Sequence, residues 1–461
     1  MNQKELVHLY WRAGFGAKPS LIADSKKLSK INTVNGLFDA SKKIETIKLD
    51  FSDFGDYFNT PYNKLRKNLG ETESRKLRQK SQKKVRELNF IWLNKMASSE
   101  QVLREKMTLF WANIFVCKDT NILHALKFNN TLRTYALGNF VDFVKAISRS
   151  ASMLKYLNNN RNFKKKPNEN FARELMELFT LGIGNYTESD IKEAARAFTG
   201  WSFKPNGDYV LRVSKHDTDS KTFLDENGNF GGDDIINIIT KQRACAKFIC
   251  SRVYRYFVNP IEDKDHIEEL TSVFHKDYNI EQLMRYLFMT DWFYEQKNIG
   301  VKIKSPVELM VGMQKVIPSV FKKQNQVIYL QKMMGQILLY PVNVAGWKGD
   351  RYWIDSNSLM FRLKLPALVF SNGQISLMSK GEFEDTFKEF YKNKKQRFSV
   401  DENDYAYFET HYSNLSFNEL SKILVVPLID IDTNNILEAY QFQNSFQYCI
   451  QLMSIPEYQL C

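Results

Sequence analysis

The stretch PNENFARELMELFTLGIGNYTESDIKEAARAFTGW, residues 167–201, places polar and apolar side chains at helical spacing in two consecutive segments. Pro167 and Asn168 suit the start of the first helix, and Gly182 with Gly184 suits its end. At 100° per residue this helix has two faces, a polar stripe of Asn170, Arg173, Glu174 and Glu177 and an apolar side of Phe171, Leu175, Leu178 and Phe179.

A second helix follows after a short connection. Thr187 and Asp190 have the spacing of a capping box, in which each residue satisfies a backbone N–H of the other. Ile191, Ala194, Ala195 and Phe198 then form an apolar face. Because the connection is short, we expect the two helices to be antiparallel neighbours.

The polar residues of this helix pair have two interpretations. If the polar faces turn toward each other, Arg173, Glu174 and Glu177 meet Glu193 and Arg196 in a pocket. Two carboxyl groups held close together there would differ in protonation, so that one acts as an acid and the other as a base. If the polar faces turn toward water, they form ordinary surface ion pairs worth a few tenths of a kcal/mol each.

The rest of the chain predicts a mainly α fold. Helical periodicity recurs through most of residues 1–365, which we interpret as one large multi-helix domain. Turn dipeptides at Asn206-Gly207 and Asn227-Gly228, beside short β-like runs, predict a small β-hairpin insertion near residues 203–232. Residues 366–461, including EDTFKEFYKNKKQRF, predict a smaller C-terminal helical region.

Charge and cysteine content restrict the classes of function. Lys and Arg exceed Asp and Glu by 65 to 52, which gives a formal net charge of +13, and much of the excess lies between Lys64 and Arg86. We interpret this basic run as a solvated helix, with nucleic-acid binding as the less favoured alternative. The five cysteines show no CxxC spacing, so neither a disulfide framework nor a thiolate zinc site is indicated.

The remaining candidates are isolated residues. None of the six histidines has the spacing of a metal site, but His216 lies beside Asp217 and Asp219 and is a candidate acid or base. Trp201 and Trp347 are most simply packing residues, with a stacking wall for a ligand as the alternative. No P-loop, dinucleotide fingerprint or nucleophile elbow occurs.

The opening stretch resembles the central signature of a large bacterial family catalogued as domain of unknown function 1800. Further motifs with the same resemblance follow in order and cover about residues 5–365: HLYWRAGFGA at 8–17, REKMTLFWANIFV at 104–116, HDTDSKTFL at 216–224, KSPVELMVG at 304–312 and MGQILLYPVNVAGWKGDRYWI at 334–354.

The resemblance implies a predominantly helical protein without an established activity. It also implies a companion, because many members of the family are exported and are encoded beside a secreted phosphatase- or sulfatase-like protein. Where the family has FWHNHF, this sequence has FWANIF, with Ala112 and Ile114 in place of two histidines. The sequence therefore predicts no metal site at that position, and the chain is interpreted as a catalytically reduced relative.

Three functions remain open. The first is a partner-binding or catalytically reduced protein, and the second is a hydrolase or transferase using Glu174 and Glu177 with His216. A basic nucleic-acid binder is the third. We predict no cofactor, no metal and no membrane span, and a cytoplasmic location unless a leader has been removed. The candidate binding residues are Asn168, Asn170, Arg173, Glu193, Arg196, Asp217, Trp201 and Trp347.

Overall fold

The computed structural model describes residues 1–25, 28–321, 323–371 and 400–461. The fold is mainly α, as predicted. Among the described residues, none of the helices combines the length and the apolar character that a membrane crossing requires. In chain order the helices are α1 Gln3–Arg12, α2 Pro19–Ser25, α3 Lys30–Ala40, α4 Tyr62–Ser98, α5 Val102–Ala112, α6 Ile122–Tyr135, α7 Phe140–Ser148, α8 Ala151–Tyr156, α9 Asn170–Glu174, α10 Glu188–Ala197, α11 Gly232–Lys241, α12 Arg243–Phe257, α13 Lys264–Phe274, α14 Ile280–Met289, α15 Pro306–Val316, α16 Gln324–Met333, α17 Ser356–Phe370, α18 Tyr405–His411, α19 Phe417–Leu424, α20 Ile431–Ala439 and α21 Ser445–Met453.

Three small antiparallel sheets accompany the helices in the part of the chain that the structure describes. The predicted hairpin insertion near residues 203–232 is confirmed, and it contains two hairpins in succession. A third pair of strands was not predicted from the sequence. The strands are β1 Trp201–Phe203 with β2 Tyr209–Leu211, β3 Lys221–Phe223 with β4 Glu226–Gly228, and β5 Ser319–Phe321 with β6 Val400–Asn403.

The turn of the second hairpin differs from the one the sequence predicted. Asn227 and Gly228 lie in strand β4, and the two turn residues are Leu224 and Asp225. Both have positive φ angles, 46° and 64°, as the two central residues of a type I′ turn require. Leucine rarely adopts this conformation, so its presence concealed the turn in the sequence.

The first central helix is not the continuous α-helix that was predicted. Helix α9 passes at Leu175 into a π-helical segment, Leu175–Thr180, and the backbone N–H groups of Leu181 and Gly182 both donate to the carbonyl of Met176. A π turn contains more residues than an α turn, so side chains leave their 100° positions. Met176 is therefore fully buried, whereas Leu178, predicted on the apolar side, is only half-buried.

The start of α10 agrees with the sequence. Thr187 Oγ1 accepts a hydrogen bond from the Asp190 N–H at 3.2 Å, and Asp190 Oδ2 accepts one from the Thr187 N–H at 2.8 Å, which completes the capping box. Helix α10 packs against α9 and against strand β3. The first central helix, the second central helix and the second hairpin therefore form one local assembly.

The chain folds into two compact units. The first comprises Met1–Ser29, Gln296–Gln336 and Gly349–Cys461, and the second comprises Lys30–Glu295 and Ile337–Lys348. The sequence placed a domain boundary after residue 365, which lies inside α17 and within the first unit. Residues 372–399 of the predicted C-terminal region, which include EDTFKEFYKNKKQRF, lie outside the described residues.

The last residues of the chain help to close the first unit. Ile303 and Leu460 form an antiparallel bridge, and the Cys461 N–H donates to the Lys302 carbonyl at 2.8 Å. Lys304 is fully buried beside this bridge, with its Nζ 3.6 Å from the ring centroids of both Trp11 and Tyr458. Cation–π attraction therefore stabilises the Lys304 ammonium group, which burial has removed from water.

A buried ion pair lies in the core of the second unit. Arg133 Nε and Nη2 donate to the two carboxylate oxygens of Glu105 at 2.6 and 3.1 Å, and both side chains are fully buried. The indole N–H of Trp92 donates to the same carboxylate at 3.1 Å. Such a pair tolerates burial because its remaining donors and acceptors are also satisfied, here through Asn129 and Asn130.

Candidate functional site

Glu174 and Glu177 lie at the junction of α9 with the π-helical segment. Glu174 is half-buried, and burial together with the nearby charge of Glu177 raises its pKa above the ordinary glutamate value. Glu177 Oε2 accepts a hydrogen bond from the Tyr186 hydroxyl at 3.2 Å. Burial and the Glu177 carboxylate raise the pKa of Tyr186 to about 12, so this phenol remains a hydrogen-bond donor at neutral pH.

Arg173 pairs with the start of α10. Its Nη1 and Nη2 each donate to Glu188 at 2.8 Å, and Nη2 also reaches Glu169 at 3.3 Å. The hydrogen bonds from Arg173 lower the pKa of Glu188 below its ordinary value. This pair is open to solvent, so Arg173 takes part in a surface network rather than in an enclosed pocket.

The two candidate asparagines fix the backbone before α9. The Asn170 N–H donates to Asn168 Oδ1 at 3.0 Å, and Asn170 Nδ2 donates to the Leu157 carbonyl at 3.2 Å. The Asn168 N–H donates to Oδ1 of the fully buried Asn162 at 2.9 Å. Their polar groups therefore hold the loop at the start of the helix.

Arg196 is the centre of a second network. Its Nη1 donates to both oxygens of Glu193 at 3.0 and 2.8 Å, and its Nε donates to Asp217 Oδ2 at 2.8 Å. Burial opposes ionisation of Asp217, but the hydrogen bonds from Arg196 and the Asp219 N–H dominate and lower its pKa. Glu193 Oε2 also accepts the Thr222 N–H at 3.2 Å, so this network attaches β3 to α10.

His216 lies on the chain segment that leads into this network. Its Nδ1 lies 2.8 Å from the Thr199 carbonyl oxygen, and because a carbonyl oxygen can only accept, Nδ1 is the donor in this contact. The Asp217 N–H donates to Thr199 Oγ1 at 2.8 Å. The fully buried Lys221 donates to the carbonyls of Asp217 and Asp219 at 2.9 and 2.8 Å, which fixes the segment further.

The predicted polar cluster is therefore divided between two networks. Within the described chain, no hydrogen bond or ion pair joins the network of Arg173, Glu174 and Glu177 to that of Arg196 and His216. An aromatic contact connects the apolar sides of the helices instead, with the rings of Phe171 and Phe198 4.9 Å apart.

The two candidate tryptophans are buried. Trp201 packs edge-on against Phe198 and Tyr209, with ring centroids 5.0 and 5.2 Å apart, so most of its surface already contacts protein. The backbone N–H of Trp347 donates to Asn113 Oδ1 at 2.8 Å, and Asn113 Nδ2 donates to the backbone carbonyl of Trp347 at 3.1 Å. This exchange fixes the loop against the end of α5.

Sequence reasoning missed Asp119. Its carboxylate is buried and accepts hydrogen bonds from Lys155 Nζ at 2.6 Å, the Asn121 N–H at 2.9 Å and Ser152 Oγ at 3.1 Å. Burial opposes ionisation, but His124, Lys155 and the Asn121 N–H together lower the pKa of Asp119 to about 2. The sequence signal that could have identified it is its position two residues before Asn121, the N-cap of α6, where an aspartate can accept a backbone hydrogen bond.

His124 was dismissed as an isolated histidine, but it lines a cleft. The cleft has a volume of about 220 Å³ and lies between α6, the junction of α7 with α8, and the first hairpin. Its polar lining combines imidazole, ammonium, guanidinium, hydroxyl and carboxyl groups, contributed by His124, Lys127, Thr131, Arg149, Ser150, Asp208 and Tyr209.

Ala112 and Ile114 are the positions at which the sequence resemblance led us to expect two histidines. Ile114 is buried, and Ala112 is the last residue of α5. In the described part of the chain, no group of three or more His, Cys, Asp or Glu side chains is arranged to hold a metal ion.

Comparison with known proteins identifies a family. A family model described as "Protein of unknown function (DUF1800)" matches residues 8–460. The match therefore extends through the last hundred residues, for which the sequence alone had suggested no relationship. No curated protein and no solved structure matches the chain.

Proposed function

The chain belongs to the DUF1800 family of proteins of unknown function, and we propose that within it this member binds a protein partner and has no catalytic activity of its own. The observation that carries the proposal is the engagement of Arg196, whose guanidinium is shared between Glu193 and Asp217. A catalytic arginine must be available to the substrate, whereas this one attaches a hairpin to a helix.

The first unit has a surface suited to a protein partner. Helix α20 buries only Leu437, although its sequence contains several large apolar residues. The exposed residues of this region, which we call the C-terminal apolar face, are Phe417, Leu428, Ile431, Ile436 and Tyr440, with exposed fractions between 40% and 77%. These residues all lie between Phe417 and Tyr440 in the sequence, and contiguous exposed apolar patches mark interaction surfaces in monomeric proteins.

Aromatic contacts stiffen part of this face. The ring of Phe442 lies 5.6 Å from Tyr440 and 6.0 Å from Phe417, and Phe417 stacks on Tyr448 at 4.3 Å. The Tyr448 hydroxyl is hydrogen-bonded to Ser421 at 2.7 Å. Rings held in this way lose little conformational entropy on binding, which favours them as anchors at an interface.

The partner that we propose is the phosphatase- or sulfatase-like companion implied by the family resemblance. The test is isothermal titration of the purified companion with the full chain and with the variants Ile436→Asp and Tyr440→Asp. A charge in the centre of an apolar interface is costly to desolvate, so we expect each variant to weaken binding at least about tenfold.

The matched control is Ile261→Asp, which places the same charge at an 81% exposed apolar residue of the second unit. This variant should bind like the parent chain. If the parent chain shows no binding at all, or if the control and the face variants bind equally, the proposed partner or the proposed face is wrong.

A second candidate function is acid–base chemistry at Glu174 and Glu177, as a hydrolase or transferase. The observation in its favour is the raised pKa of Glu174 beside a second carboxylate, at a π-helical segment of a kind that recurs at functional sites. His216 contributes to this proposal only if its Nε2 can reach the same substrate. Activity toward a panel of p-nitrophenyl esters, phosphates, sulfates and glycosides, lost in Glu174→Gln but retained in Glu188→Gln, would support it.

Nucleic-acid binding has less support. Within the basic run between Lys64 and Arg86, Lys80 is paired with Asp53 at 2.5 Å and Lys84 lies 3.6 Å from Glu87. Lys83 is exposed. Salt-sensitive retention of DNA that disappears on neutralising these lysines would restore this candidate.

A further inference from the structure

The loop of the first hairpin, residues 204–208, lies against α6 beside the cleft described above. Gly207 has a φ angle of 87°, and a Cβ atom at this position would approach His124 Cδ2 to 3.0 Å. Only glycine therefore allows the loop to approach the imidazole so closely without strain. The loop follows a fixed turn, because the Gly207 N–H donates to the Lys204 carbonyl and the Lys204 N–H donates to the Asp208 carbonyl, both at 2.8 Å.

The loop supplies two acceptors to the donors of the cleft. His124 Nε2 lies 2.8 Å from the Pro205 carbonyl oxygen, and Lys127 Nζ lies 2.8 Å from Asp208 Oδ1. On its other side the buried imidazole faces Asp119, with Nδ1 3.6 Å from Oδ2. A carbonyl oxygen can only accept a hydrogen bond, so Nε2 is the donor in the contact with Pro205, and the ring adds a donor to the cleft.

Arg149 is oriented at the cleft by two aromatic rings and by one carboxylate. Its guanidinium carbon lies 5.6 Å from the ring centroid of Trp201 and 5.3 Å from that of Tyr209, and its Nη2 pairs with Asp233. Its Nε is shielded from solvent and has no hydrogen-bond acceptor among the described residues. A guanidinium fixed by aromatic rings is preorganised for planar recognition of a carboxylate or phosphate group.

We propose that this cleft is a binding site for a small ligand bearing an oxyanion, and that Pro205 and Asp208 of the loop occupy the donors that such a ligand would take. Without the loop acceptors, the cleft presents the donors of His124 and Lys127 beside Arg149, whose Nη2 remains paired with Asp233. A volume of about 220 Å³ accommodates one phosphate, sulfate or carboxylate group with a short substituent.

Asp208 makes the proposal testable, because its carboxylate competes with the proposed oxyanion for the ammonium group of Lys127. Its carboxylate is held by Lys127, and it is about half exposed, so replacing it should leave the fold intact. Asp208→Asn removes the negative charge that repels an incoming anion and weakens the hold of the loop on Lys127. We expect this variant to bind oxyanions at least about threefold more tightly than the parent chain.

The experiment measures thermal melting of the full chain with inorganic phosphate, sulfate or acetate, at constant ionic strength made up with chloride. We expect a concentration-dependent rise in melting temperature for the parent chain, because a ligand that binds only the native state stabilises it. A response to phosphate and sulfate alone would identify a tetrahedral ligand group, and a response to acetate as well would identify a carboxylate.

Two further variants locate the site. Lys127→Met should reduce the response, whereas the control Lys83→Gln, an exposed lysine on α4, should not change it. Circular dichroism shows whether Lys127→Met keeps its structure. If it does not, the proposal is tested on the parent chain, by following the His124 imidazole resonances by NMR during phosphate addition. Equal responses of Lys127→Met, Asp208→Asn and the control, or unmoved His124 resonances, would overturn the proposal and indicate an adventitious ion only.

Discussion

Asp190 Oδ1 accepts a hydrogen bond at 2.9 Å from the backbone N–H of Leu224, which lies 34 positions further along the chain. Its Oδ2 accepts hydrogen bonds from the N–H and the hydroxyl of Thr187 at 2.8 and 2.7 Å. One carboxylate therefore joins the first turn of α10 to the turn between β3 and β4. Leu224 has a positive φ angle of 46°, so this anchor lies where the backbone is strained.

Asp190→Ala should destabilise the protein. The change removes the capping box and leaves the Leu224 N–H without its charged acceptor, and we expect a loss of about 2–3 kcal/mol in the free energy of unfolding. Chemical denaturation measures this loss. Ser189→Ala, at the adjacent exposed position, is the control and should change stability by less than about 0.5 kcal/mol. Equal midpoints for both variants would contradict the anchoring role.

Leu224→Asn should stabilise the protein. Asparagine adopts positive φ at lower cost than leucine, and the backbone N–H that donates to Asp190 is retained, so we expect a gain of up to about 1 kcal/mol. Thr222→Asn, in the extended strand β3, is the matched substitution and should give no gain. Thermal melting compares the two variants, and a lower melting temperature for Leu224→Asn would show that its side-chain packing outweighs backbone strain.

Asp119 should make stability depend on pH below neutrality. Its pKa is about 2 in the folded protein against an ordinary value of 3.8, so the folded state favours the ionised form. This contribution to stability is present above about pH 4 and is lost as the pH falls from 4 to 2; it amounts to roughly 2 kcal/mol.

The measurement for Asp119 is the free energy of unfolding as a function of pH. Asp119→Asn should be less stable at pH 6 and should show a shallower dependence between pH 4 and pH 2. Asp265→Asn, at an exposed position on α13, is the control and should follow the parent chain. Parallel curves for the parent and Asp119→Asn would show that the carboxylate does not have the predicted ionisation.

Arg196→Lys should destabilise the protein, although it keeps the positive charge. Lysine cannot make the simultaneous hydrogen bonds to Glu193 and Asp217 that the planar guanidinium makes, so we expect a loss of about 1–3 kcal/mol. Arg173→Lys, in the more exposed pair with Glu188, should cost less than about 1 kcal/mol. Urea midpoints of the two variants test this order, and a reversed order would contradict it.

The sequence predicted the features that depend on local periodicity and on capping chemistry. The capping box of Thr187 and Asp190 was recognised because its two residues lie three positions apart and are of the required types. The mainly α fold and the hairpin region were recognised for the same local reasons. These features require no knowledge of what is distant in the sequence.

The sequence did not predict features set by distant contacts or by unusual backbone. The π-helical segment Leu175–Thr180 has ordinary helix-forming residues, so nothing in its composition distinguished it from an α-helix. The interaction of Asp190 with Leu224, and the cleft around His124, join segments that are far apart in the chain. The division of the predicted cluster between two networks depended on side-chain directions that periodicity alone does not fix.

The first unit combines segments that are far apart in the chain, so it can complete its folding only after the last of these segments has been synthesised. Helix α1 packs against α19, more than 400 residues later, and its Trp11 ring lies 6.2 Å from Tyr458. During translation the N-terminal segment therefore emerges long before its final neighbours exist, while most of the second unit is synthesised in one piece. The apolar side of α1, which includes Leu6, Leu9 and Trp11, therefore lacks its contacts with α19 until Phe417–Leu424 has been synthesised, and chaperone dependence should be concentrated in that interval.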